Sequence, residues 1–147
     1  MSDDPWHLAR FLEAQAHNYP DALAELRLGQ KRTHWIWYVF PQVRGLGLSP
    51  ASQKYGLSGR EEARAYLAHP VLGARLRECV DALLSVRERT AFEIFGGLDS
   101  MKVRSSMTLF AEVSPPGSRF HAVIARYFAD APDPITLDLL AAGGTSA

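Results

Sequence analysis

Two stretches of this chain gather residue types for which a packed core has little use. The first is His34-Trp35-Ile36-Trp37-Tyr38-Val39-Phe40-Pro41-Gln42. Four aromatics serve a core well, but the imidazole at one end and the amide at the other each need a partner once buried. A segment with an apolar body and polar tips reads as pocket wall. His34 is the candidate general base, because imidazole titrates near neutral pH; its plainer role is to cap a helix or bond a backbone group. Core packing suits both Trp35 and Trp37. If one of them stacks on a flat ligand, the candidate is Trp37. Gln42 either orients a ligand or closes a turn.

The second stretch runs from Asp99 to Phe110. Val103, Met107 and Phe110 give it an apolar side. Lys102, Ser105 and Ser106 crowd nearby, with Arg104 a little further round the axis. Cations and hydroxyls near a helix start suit an anion, since free N–H groups and the positive end of the helix dipole lie there. Arginine adds planar, bidentate recognition of phosphate or carboxylate. The plainer reading is a solvated helix face with ordinary surface cations. The expectation is that His34, Gln42, Lys102, Arg104 and Ser105 converge on one concave site, with Trp37 and Ser106 among the ligand contacts.

Other chemistries find less support. Gly-x-Ser-x-Gly is absent. Ser105 or Ser106 beside Lys102 offers a Ser–Lys pair of a spacing common by chance. His7, His17 and His121 form no metal constellation, no His-Glu-x-x-His occurs, and a lone cysteine excludes a cysteine cage, so no metal is expected. No cofactor is expected either: Gly45-Leu46-Gly47-Leu48 lacks the strand-to-helix setting of a dinucleotide fingerprint and reads as a permissive loop. Glu61-Glu62 reads as an exposed first turn. His69 before Pro70 reads as a cap. Cys79 lies on an apolar helical stripe and reads as a small core residue.

The elements that must position these residues are helices. Five of the nine prolines (Pro5, Pro20, Pro50, Pro70 and Pro134) stand where a helix should begin. Asp4-Pro5 opens a stripe of Leu8, Phe11, Leu12, Gln15 and Tyr19; Pro20 restarts the chain, and Gly29 ends that turn. Ser49 caps a short helix at Pro50. Ser58 with Glu61, and Thr90 with Glu93, have capping-box spacing. His69-Pro70 opens the clearest helix, with Leu72, Leu76, Cys79, Val80 and Leu83 inward. Gly96-Gly97 stops one helix, and Asp99 or Ser100 caps the next. Ser118 caps another, and Asp133-Pro134 starts the last, with Ile135 and Leu139 or Leu140 inward. The aromatic run has strand-like composition, but a strand needs a partner and no second candidate is found. A short helix is favoured, capped by Thr33 and ended by Pro41. No fixed-period repeat stands out.

The expected architecture is therefore all-α: one compact domain of about seven to nine short helices over residues 1–147, with one core spanning about 5–140 and a frayed tail at 141–147. With 147 residues, 47% of them hydrophobic, the chain can build a core of normal size. Sixteen basic and 16 acidic residues balance, so a nucleic-acid partner is not expected. Met-Ser-Asp-Asp shows no signal peptide and no apolar run spans a membrane, which leaves the cytoplasm as the expected location.

Taken together, Phe11-Leu12-Glu13-Ala14-Gln15, the His34–Gln42 run, Gly45-Leu46-Gly47, Ala65-Tyr66-Leu67-Ala68-His69-Pro70-Val71-Leu72-Gly73 and Lys102-Val103-Arg104-Ser105-Ser106-Met107-Thr108-Leu109-Phe110 resemble domain-of-unknown-function family 1810. Ile36 stands where Met is expected and Val103 where Leu is expected, both conservative changes. The resemblance spans about Pro5 to Leu140. It implies a small, mainly helical, single-domain bacterial protein and no particular activity. The family sometimes carries an automated calpastatin label. Inhibitory segments of calpastatin are disordered and extended, whereas this chain has the apolar stripes of a packed fold.

Two functional classes remain open. One is a protein, enzymatic or not, with a pocket for a small anionic, nucleotide-like ligand. The other is a helical protein-interaction module whose aromatics form an anchor patch.

Overall fold

A computed structural model describes residues 3–144. Among the described residues the chain forms nine helices and no strand, and Val43 and Leu57 meet in an isolated parallel bridge. The helices are α1 (Ala9–Gln15), α2 (Tyr19–Leu28), α3 (Ile36–Val39), α4 (Pro50–Tyr55), α5 (Arg60–Ala68), α6 (Leu72–Ser85), α7 (Ala91–Glu112), α8 (Arg119–Tyr127) and α9 (Pro134–Gly144). The all-α expectation holds, and residues 141–144 belong to α9 rather than to a tail; 145–147 lie outside the described residues.

Local chemistry sets most boundaries. Ser49 and Ser118 accept the backbone N–H of Ser52 and His121, and Thr90 with Glu93 closes a full capping box. His69 Nδ1 accepts the N–H groups of Val71 and Leu72, both at 3.1 Å, so it is the cap expected before α6. Asp4 accepts from Leu8 at 2.7 Å and Ala9 at 2.9 Å, which moves the start of α1 beyond the Pro5 position. Ser58 pairs with Glu62, one residue beyond the expected Glu61, and α5 starts after Gly59 without a side-chain cap.

Where α5 turns into α6 the chain passes so close that a Cβ on Gly73 would stand 2.1 Å from the Leu67 carbonyl oxygen, so only glycine fits. Gly96, at φ 80° and ψ 175°, leaves the helical conformation, so the stop expected at Gly96-Gly97 is a kink that divides α7 into two helical halves. The expected new cap does not form there: Asp99 bonds lysines instead, and Ser100 donates to the Gly97 carbonyl.

The core sits where α7 crosses α5, α8 and α9 and where α6 packs on α2, α5 and α8. Rings run through it from α1 to α8: Phe11 to Tyr66 at 5.1 Å, Tyr66 to Phe110 at 5.6 Å and Phe110 to Phe120 at 5.6 Å. Cys79 is buried with Leu72, Leu76, Val80 and Leu83, as its stripe requires. Two expectations fail on burial. Ile135 is exposed, because Thr136 takes the inward position with Leu140. Glu62, expected in an exposed turn, is buried in an ion pair with Arg10 at 2.9 Å. Further donors on Arg10 go to the carbonyls of Trp6, His7, Lys54 and Gly56, so this pair fastens the 54–58 segment to the region before α1.

Candidate functional site: the junction of α3 with α7

The aromatic run becomes a single helical turn, α3, which packs on α1, α4 and α7. Its approach is fixed by a residue the sequence reading did not single out. Glu25, on α2 and 7% exposed, accepts the N–H of Arg32 (2.6 Å) and Thr33 (2.9 Å), the Thr33 hydroxyl (2.6 Å) and the Trp35 indole N–H (3.1 Å). Burial alone would raise its pKa. The four donors outweigh that and bring it down to about 2. Thr33 therefore serves Glu25 and does not cap α3; Trp35 occupies that position, and its side chain bonds Glu25 and makes no capping bond to α3. The signal in the sequence was weak, since a glutamate ten residues before a tryptophan has no local pattern.

Trp35 and Phe40 are buried, while Trp37 is half-buried. Lys102 Nζ lies 4.4 Å from the centre of the Trp37 ring. The same ammonium bonds Asp99 at 3.1 Å, and Asp99 also pairs with Lys31 at 2.7 Å. Lys31 in turn lies 5.2 Å from the centre of the Trp35 ring, and its backbone N–H bonds the Ile94 carbonyl just before the kink. Burial acts to raise the Asp99 pKa, and the bonds and charges of the two lysines reverse it, so the carboxyl titrates below its ordinary range. Two cations thus share one carboxylate against two indoles.

Helix geometry sorts the remaining candidates. Successive residues on α7 turn by about 100°, so Ser106 shares the Lys102 face and Arg104 points the other way. Arg104 Nε donates to the Ala131 carbonyl (2.8 Å) and Nη2 to that of Pro132 (3.0 Å). Ser105 donates to the Met101 carbonyl (3.1 Å) and bonds Asp133 (3.0 Å), the residue that receives the Thr136 N–H at the start of α9. Arg104 and Ser105 therefore tie α7 to the loop before α9. Of the residues expected to converge, Lys102 meets Trp37, whereas Arg104 and Ser105 bond the 131–133 segment. A cavity of about 200 Å³ lies on that other side, lined by Thr108, Glu112, His121, Asp130 and Pro132, with none of the expected site residues in its wall.

His34 is exposed, its carbonyl accepts from the Tyr38 hydroxyl at 3.2 Å, and its imidazole makes no hydrogen bond among the described residues. Gln42 is 9% exposed and Ser106 is fully buried, yet Gln42 Nε2 and Ser106 Oγ have no hydrogen-bond partner among the described residues. Buried polar atoms left unpaired are uncommon and costly. Among the described residues no cluster of histidine, cysteine and carboxylates could hold a metal.

The helical fold and this aromatic segment define a small all-α protein. Over residues 5–140 the chain matches the family described as "Protein of unknown function (DUF1810)", and it belongs to that family. It is also similar to a solved structure, the conserved hypothetical protein Rv1873 from Mycobacterium tuberculosis, with 49% identity and a TM-score of 0.92. That match covers 94% of this chain and 99% of the other. No curated protein matches it.

Proposed function

We propose that the face where Trp37 meets Lys102 binds a small anionic ligand carrying a flat, nucleotide-like ring. The observation that carries this reading is the arrangement of two lysines around one carboxylate beside a half-buried indole. Lys31 and Lys102 against Asp99 leave one positive charge in excess, which attracts an anion. A ring takes the Trp37 face that the Lys102 ammonium now covers, and Lys102 reaches the attached phosphate or carboxylate. His34 stands at the exposed edge of the same segment. A general base needs a group to orient it, and its imidazole has none among the described residues, so we assign it ligand contact and no reaction step. Balanced charge fits a protein without a nucleic-acid partner, and a lone buried thiol fits the reducing cytoplasm of a bacterium. No helix among the described residues is long and apolar enough to cross a membrane.

A thermal-shift screen with nucleoside monophosphates, sugar phosphates and dicarboxylates tests the reading, because a ligand selective for the native state raises the melting temperature. A rise in the wild type that Lys102→Ala abolishes and Arg104→Ala preserves supports it. No rise with any of the three classes contradicts it.

A second reading has its own observation. Phe92, Leu98 and Met101 are 70%, 77% and 65% exposed on either side of the Gly96 kink. Large exposed apolar side chains close together suit a helical protein-interaction module without catalysis. Sedimentation of the wild type and Leu98→Ser tests it: self-association that the variant loses favours this reading, and a monomer in both counts against a homotypic partner.

A further inference from the structure

None of the residues proposed to hold an anion lines the cavity on the other side of α7. That cavity lies between two helices. α7 ends at Glu112, residues 113–118 turn the chain, and α8 packs back along α7. Glu112 and His121 line the cavity near this turn. Asp130 and Pro132 line its other end, because the Asp130 N–H bonds the Ile124 carbonyl at 3.0 Å and Arg104, about two turns before Glu112, holds the Pro132 carbonyl. Ala111, Ile124 and Pro132 add apolar wall. The volume of about 200 Å³ equals that of about six or seven waters in the liquid, room for an aliphatic chain of about that many heavy atoms.

We infer that this cavity binds a short aliphatic ammonium ion, its charge at Asp130 and its chain against Ala111, Ile124 and Pro132. The charges around the cavity carry the argument. Arg60 bonds the Glu112 carboxylate at 3.1 Å, and Arg104 and Asp133 stand together at the loop before α9. Asp130 forms no ion pair among the described residues, so it is the negative charge in excess. It follows the last turn of α8, where the negative end of the helix dipole adds to its field. Its backbone is left-handed, at φ 58° after Ala129 at φ 53°, and the bond to Ile124 holds it there beside the cavity. Ser118 Oγ lies 2.7 Å from His121 Nδ1 and fixes that ring at the opposite end. Glu112, His121 and Asp130 line one cavity, yet no three such groups among the described residues could share a metal ion. The cation that fits is therefore larger than a metal ion and carries an apolar body.

n-Butylammonium, n-butanol and n-butyrate share a four-carbon chain and differ in charge. Titrating each into the full chain, with backbone amide shifts followed by NMR, decides the matter. At about pH 8 the amine is charged and His121 is neutral. The expected result is that n-butylammonium shifts the amides of 108–112 and 121–132 and binds at least about 10-fold tighter than n-butanol. Asp130→Asn should bring the two within about twofold. That variant keeps a residue type at ease in the left-handed backbone and removes only the charge, so the fold survives it. Equal binding of n-butylammonium and n-butanol to the wild type overturns the inference and leaves an apolar cavity without charge selection. Tighter binding of n-butyrate also overturns it, as does an Asp130→Asn variant that keeps the wild-type ratio. Shifts confined to other parts of the chain, or no shifts with n-butylammonium, overturn it as well. None of these outcomes bears on the Trp37–Lys102 face.

Discussion

Lys102 holds its ammonium 4.4 Å from the centre of the Trp37 ring, and it does so from a turn of α7 that Asp99 clamps to Lys31. Residues 65 positions apart in sequence meet because Gly96 bends α7 where Lys31 donates its backbone N–H to Ile94. The kink sets the direction of the second half of the helix, and that direction decides which of its polar residues faces the aromatic segment.

Removing the shared carboxylate should leave two cations without a counter-charge. The Lys31 side chain is only 7% exposed, so Asp99→Asn should cost about 1–3 kcal/mol, less than a fully buried pair because Asp99 keeps partial contact with water. Urea denaturation at neutral pH checks this through the transition midpoint. An unchanged midpoint would show that the cluster does not stabilise the kink.

Glu25 gives a pH signature. Its folded pKa, about 2, lies below the ordinary value of 4.5. The stability it contributes is therefore present in full above about 4.5 and is lost as pH falls through the folded value. Glu25→Gln should cost about 1.5–3 kcal/mol at pH 7, the range for hydrogen bonds to a charged group. The difference between variant and wild type should shrink as pH falls below about 4.5. Melting temperatures of both proteins across that range test it; a difference that grows in acid would contradict the assignment.

Cys79 should be slow to react. Burial pushes its thiol up to about 12, and only the thiolate is nucleophilic. Native protein should resist a thiol reagent until it unfolds, and Cys79→Ala should cost about 1 kcal/mol as a small cavity. Labelling of the native protein at the rate of a free thiol would refute this.

Arg104 separates a structural from a ligand-binding role. Because its guanidinium bonds the carbonyls of Ala131 and Pro132, Arg104→Ala should destabilise the protein by about 1–2 kcal/mol. Hydrogen exchange should rise at the amides of the 129–136 segment. Protection there equal to the wild type would show that these bonds do not hold the loop.

Much of the fold was legible in local pattern. Ser49, Thr90 and Ser118 announce their helices because a cap is a contact within three residues. Cys79 with Leu72, Leu76 and Leu83 announces a buried face because helical spacing alone defines it. What was not legible depended on distant partners. Glu62 looks solvated until Arg10, 52 residues earlier in the chain, pairs with it. Thr33 looks like a cap until Glu25 takes its hydroxyl.

The candidate site divides along the same line. The aromatic segment and α7 were both visible as chemistry-bearing stretches. Which polar residues of α7 would face Trp37 depended on helical phase beyond the kink, and no local signal reports where Ala131 and Pro132 present their carbonyls. Gln42 stood out in sequence as the polar tip of an aromatic run and Ser106 as one of the hydroxyls beside Lys102; among the described residues the Gln42 amide nitrogen and the Ser106 hydroxyl are both buried without a hydrogen-bond partner.

The most direct test of the Trp37–Lys102 site is isothermal titration of a nucleoside monophosphate into the wild type, Lys102→Ala and Arg104→Ala at one low ionic strength. Measurable binding to the wild type is expected, with a loss of about 10- to 100-fold for Lys102→Ala, as for a charge-assisted contact of roughly 1.5–3 kcal/mol, and less than about a twofold change for Arg104→Ala. Equal losses in the two variants, or no binding to the wild type, would contradict it.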